Sequence, residues 1–165
     1  MRNAHLGLGQ AEVNNPAISA DGSFAMGGNR YIGRDYYVYS AEGNPIPAAG
    51  NVTDQITIQA DADFVVQKMT FSAFASTPIA LTNNTRIIPA VTVQLTDTGS
   101  GRELLDAPIF IPSIFGTGEL PFILPTPRLL KARSTLKVQF ANQDASTAVI
   151  VQLALIGYKA YQFTG

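Results

Sequence analysis

The chain has 165 residues, 46% of them hydrophobic, enough for one domain that buries its own core, and it contains no cysteine, which excludes disulfide frameworks, thiolate metal sites and cysteine nucleophiles. A formal charge of −1 offers no general attraction to phosphate backbones or anionic lipid, so neither nucleic acid nor a membrane is expected as the principal partner. Charged residues make up only 14%, against about 25% in an average soluble domain, and a subunit that covers its neutral surface with neighbours tolerates this better than a free monomer does.

Met1-Arg2-Asn3-Ala4-His5-Leu6-Gly7 leads into a Gly- and Asn-rich stretch and not into the apolar run of a signal peptide. No apolar run reaches the roughly 18 residues that a membrane span needs. Residues 1–34 show little apolar periodicity, with turn signals at Asp21-Gly22 and Gly27-Gly28-Asn29, and are expected to form an extended N-terminal arm. Ordering such an arm costs entropy unless it binds something, so a partner is its expected resting place. Residues 35–165 are expected to form the folded domain.

Tyr36-Tyr37-Val38-Tyr39 is aromatic and β-branched and predicts a strand, followed by a turn-rich link at Glu42–Pro47 that proline keeps out of a sheet interior. Gln55–Gln59 alternates, with Ile56 and Ile58 on one face. Phe64–Phe74 places Val65, Met69, Phe71 and Ala73 on one face, Gln67 being the exception. Ile87–Asp97, Thr135–Ala141 and Ala148–Gly157 alternate most clearly, and Val93, Leu136, Val138, Val151 and Leu153 are expected to face inward. The last of these strands is apolar on much of both faces and is expected to be central in a sheet or covered.

Asp97-Thr98-Gly99-Ser100-Gly101 and Phe115-Gly116-Thr117-Gly118 are glycine turns, and Leu120–Pro127 carries three prolines, which suits an edge strand or extended cover. About eight short strands without an amphipathic helix predict an all-β fold, a single β-sandwich or jelly-roll-like domain.

The chemistry-bearing residues are sparse. The single histidine, His5, lies in the arm, away from any candidate nucleophile or zinc partner. Asp61-Ala62-Asp63 lacks the further oxygen ligands of a calcium loop and reads as a solvated turn. Asp97-Thr98-Gly99, with Ala154-Leu155-Ile156-Gly157, resembles elements of aspartic proteases, which would require a dimer so that two aspartates share one proton. Tyr31, Tyr36, Tyr37 and Tyr39 suit either a sugar-stacking surface or aromatic packing of the arm on the domain. Arg128, Lys131, Arg133 and Lys137 form a basic cluster without an intervening acid. The candidate partner-binding residues are therefore Arg30, Tyr31, Arg34 and Tyr36 where arm meets domain, with Arg128, Lys131 and Arg133. No catalytic residue, metal ligand or cofactor is expected.

The segment Leu120–Pro125 through Pro127-Arg128-Leu129-Leu130, then Ser134–Val138, Asn142 and the closing Leu155-Ile156-Gly157-Tyr158-Lys159, resembles small virion proteins of tailed bacteriophages. The resemblance covers residues 87–163. It implies a capsid decoration or cement protein, or a neck or tail component, made in the host cytoplasm and carried in the virion. Such a protein would self-associate, a trimer being one arrangement, and dock on major capsid or neck proteins. A lectin-like carbohydrate-binding module is the alternative reading, and a dimeric aspartic protease the remote one.

Overall fold

The computed structural model describes residues 23–26, 28–76, 83–98 and 102–162. Ten strands run in chain order: β1 (Phe24–Met26), β2 (Asn29–Ile46), β3 (Asn51–Thr57), β4 (Asp63–Ala75), β5 (Val91–Asp97), β6 (Arg102–Glu103), β7 (Ile109–Phe110), β8 (Phe122–Leu130), β9 (Thr135–Asn142) and β10 (Val149–Gln162). One sheet has the order β1-β2-β10-β4-β8 and the other β3-β9-β5-β6, with β7 also pairing β5. Every pairing between named strands is antiparallel. The chain passes repeatedly from one sheet to the other, so that β2-β10-β4-β8 faces β3-β9-β5-β6. This is the strand order of a jelly roll, in which most strands adjacent in sequence lie in opposite layers, β1–β2 and β5–β6–β7 being the exceptions here.

Alternation explains the packing. Val91, Val93 and Leu95 of β5, Leu136, Val138 and Phe140 of β9, and Val149, Val151, Leu153 and Leu155 of β10 all enter one core between the sheets. The five side chains expected inward, Val93, Leu136, Val138, Val151 and Leu153, are each no more than 2% exposed. β10 lies between β2 and β4, as its two apolar faces require. β8 pairs only β4 and forms an edge. Along it, Ile123 opposes Lys68 and Arg128 opposes Val66, so Leu124–Pro127 bulge out opposite Gln67 alone. Pro125 and Pro127 have no N–H to donate, so leaving the ladder there sacrifices little.

Three expectations change. In β4 the register with β10 shifts between Val66 and Lys68, leaving Gln67 as an extra residue. This bulge flips the alternation: Phe64 and Val66 precede it on the core side, Met69, Phe71 and Ala73 follow it there, and Val65 turns outward. The expected link at Glu42–Pro47 is instead largely the end of β2, with Asn44 and Pro45 absorbed in a register shift between Gly43 and Ile46. The boundary expected after residue 34 also moves, because β1 and the start of β2 belong to the sheet and Phe24 and Tyr31 are fully buried. Periodicity was obscured there by another shift, where Arg34 pairs Ala160 but Tyr31 pairs Gln162. Residues 1–22 of the expected arm, His5 among them, lie outside the described residues.

Candidate docking face

The outer face of the β2-containing sheet carries a second, smaller cluster. Phe24, Tyr31, Val65, Tyr158 and Ala160 are buried together, with Met26 and Leu129 packed on them. Phe24 and Tyr31 are cross-strand partners whose rings stack at 5.3 Å, and Tyr158 meets Phe24 edge-on at 6.0 Å. The Arg34 guanidinium lies over both rings, 4.2 Å from the Phe24 centroid and 5.1 Å from that of Tyr158.

Asp63, the first residue of β4, anchors this end. It is 1% exposed, although the sequence places it in an expected solvated turn. Four donors converge on its carboxylate: Tyr31 Oη at 2.6 Å, Ala132 N at 2.7 Å, Lys131 Nζ at 3.0 Å and Gln162 Nε2 at 3.1 Å. Burial pushes the Asp63 carboxyl up, but these hydrogen bonds outweigh it and hold the group below the usual aspartate value. Burial, then the hydrogen bond to Asp63, raises Tyr31. Burial opposes the charge on Lys131, yet its bonds to Asp63 and Tyr31 raise it. Asp61, two residues earlier, is half-exposed and pairs at 2.8 Å with Lys159, whose ammonium also sits 4.5 Å from the Tyr37 ring centroid.

The candidate residues thus divide. Tyr31 and Lys131, one hundred positions apart in sequence, meet at 3.3 Å. Arg30 reaches Ser23 Oγ, just before β1, at 3.0 Å, and Arg34 covers the aromatic cluster. Arg133 is exposed in the turn after Lys131, with a φ of 66°. Tyr31 is a core residue and presents no surface to a partner, a correction that follows from its stacking on Phe24 and its bond to Asp63. Arg128 stands apart: it opposes Val66, on the inner side of β8. Asp63 was missed because nothing in Asp61-Ala62-Asp63 distinguishes an exposed carboxylate from a buried one. Asp97 and Gly157, the two marks of the protease reading, lie in different sheets.

Beside this cluster the outward face carries exposed apolar side chains among polar ones such as Ser40, Lys68 and Gln152. Tyr36 is 74% and Val38 38% exposed, and their partners on β10, Tyr158 and Ile156, continue the row across the sheet. Ile32, nearby on β2, is 53% exposed. β1 covers β2 only through Tyr31, and beyond that no described strand pairs the outer edge of β2. At Glu42 the free N–H is taken by Asp54 Oδ2 at 2.7 Å. An open strand edge beside exposed aromatic and β-branched side chains is a template for strand addition.

The Tyr158 hydroxyl is buried and has no hydrogen-bond partner among the described residues. Burial, opposed by the Arg34 charge, raises its pKa. Tyr158→Phe removes an unsatisfied hydroxyl while keeping the ring under Arg34, so it is expected to leave stability unchanged or raise it by up to about 1 kcal/mol. Thermal unfolding of the two proteins side by side measures this.

Among the described residues no three His, Cys, Asp or Glu side chains converge as a metal site, and no helix is long and apolar enough to cross a membrane. No protein family, curated protein or solved structure matches the chain.

Proposed function

We propose that this chain is a structural protein of a bacteriophage particle, a capsid decoration, cement or head–neck component that works by assembly with itself and with capsid or neck proteins. The strand order carries the reading, because two facing four-stranded sheets in jelly-roll order are an architecture of viral capsid domains. This is support by fold-level analogy, and the same architecture also serves lectins. Two features of this chain favour assembly. Charged residues are scarce, and the outward row of Tyr36, Val38 and Ile156 adjoins an open strand edge. The resemblance of residues 87–163 to small phage virion proteins points the same way.

In this reading the edge of β2 from Ile32 to Ser40 receives an extended segment of a virion protein, main-chain hydrogen bonds supplying strength and Tyr36 and Val38 supplying specificity. The test is co-sedimentation of the protein with particles that lack the endogenous copy. The double variant Tyr36→Ser, Val38→Asn is expected to melt with the wild type, since both side chains are exposed. Its particle affinity is expected to fall roughly thirtyfold, as for loss of an aromatic hot spot. Undiminished particle binding by the variant would remove the docking face. Saturable, specific sugar binding on a glycan array, with no particle binding, would replace the virion reading with the lectin one.

A further inference from the structure

The jelly roll is not closed on all sides. Between the edge strand β8 and the short β6 with the segment that follows it, a cleft of about 160 Å³ opens into the interior. Its wall is almost wholly apolar: Met69, Leu95, Leu136 and Leu155 line its depth, while Leu104, Leu105 and Leu124 stand nearer the surface. The register explains the opening. Leu124–Pro127 bulge from the ladder opposite Gln67, so β8 leaves β4 where the other sheet offers only a two-residue strand.

The polar side chains of the lining are Thr126 and Arg128. Arg128 is exposed, and its guanidinium has no hydrogen bond, ion pair or ring contact among the described residues. Among the described residues no acidic side chain lines the cleft. An unpaired guanidinium at the rim of an apolar hole calls for a ligand with a carboxylate at one end and hydrocarbon at the other, since guanidinium and carboxylate match as a two-pronged pair. The volume sets the length of the hydrocarbon: an apolar cavity of about 150 Å³ stays dry and holds a benzene-sized molecule, so a tail of about six to eight carbons fits.

We propose that this cleft binds a medium-chain fatty carboxylate, its head on Arg128 and its tail passing Leu124 towards Met69 and Leu155. The site is independent of the docking face, since Tyr36 and Val38 face outward from the same sheet and do not line it.

Calorimetric titration of the intact protein with straight-chain carboxylates from butanoate to dodecanoate, and with the matching alcohols, tests the proposal. Saturable binding is expected, with affinity rising roughly fourfold per added methylene until the tail fills the cleft, then levelling. Arg128→Gln is expected to weaken octanoate at least about tenfold and to leave octanol unchanged. Leu124→Phe, which fills the cleft from a half-buried position, is expected to abolish both without lowering the melting temperature. Absence of saturable binding by any chain length would overturn the proposal. So would an Arg128→Gln variant that binds octanoate as well as the wild type, or a folded Leu124→Phe variant that binds it undiminished.

Discussion

Gly157→Ala is expected to cost about 3 kcal/mol or more, a large share of the stability of an ordinary domain. A Cβ at this position would lie 1.9 Å from the Val65 carbonyl oxygen and 2.9 Å from its carbon. Neither atom belongs to a side chain that can swing away. The two strands are also pinned on both sides of the contact, by Tyr158 opposite Val65 and by Ile156 opposite Lys68. Relief therefore requires the ladder itself to open at the centre of the sheet. The close approach is a product of the Gln67 bulge, which brings the β4 backbone against β10 as it turns Val65 outward. Gly118→Ala is the control, because a Cβ there meets nothing within 4 Å. Thermal unfolding should show Gly157→Ala melting on the order of 10 °C below wild type, with Gly118→Ala close to it. Equal melting temperatures for the two variants would mean that β4 and β10 can separate locally and that the bulge is not fixed by this contact.

The alternating strands were legible because one face of each is buried and period two then writes itself into the side chains. Val93, Leu136, Val138, Val151 and Leu153 took their faces from that rule alone. The illegible positions are those where a bulge breaks the period. Val65 reads as a partner of Met69 until the extra residue at Gln67 flips it, and Tyr31 reads as arm because a second shift separates it from Arg34. Prolines misled in one place and guided in another. Those of β8 mark a true edge, whereas Pro45 lies within β2 because the register shift between Gly43 and Ile46 absorbs it. The docking face was half legible: Tyr36 and Arg34 were singled out, but Val38 and Ile156 gain meaning only when β2 and β10 lie side by side. The carboxylate of Asp63 was not legible, since its four donors come from β2, β10 and the turn before β9.

Loss of that carboxylate should have the other large effect. Asp63→Ala leaves the Tyr31 hydroxyl and the Ala132 N–H without their acceptor in a buried setting, and strands the Lys131 ammonium beside them. Breaking a buried pair by removing one partner costs about 3–5 kcal/mol; the lower end applies here, because Lys131 is 49% exposed and water can take over part of its solvation. Asp63→Asn separates charge from shape. Hydrogen bonding holds the folded Asp63 carboxyl below its usual 3.8, so its contribution is fully present above that value and is lost as pH falls through the folded pKa. Wild type should therefore be more stable than Asp63→Asn at neutral pH, with the gap closing only below the usual carboxylate range. Asp61 and Asp144 are also held low, by Lys159 and by Ser146 respectively, and they steepen the acid limb of both proteins alike. Taking the difference between the two melting curves at each pH, from about 7 down to about 2.5, cancels them and isolates Asp63. A difference that stayed constant across that range would mean that Tyr31, Ala132 and Lys131 need an acceptor of the right shape and not a negative charge.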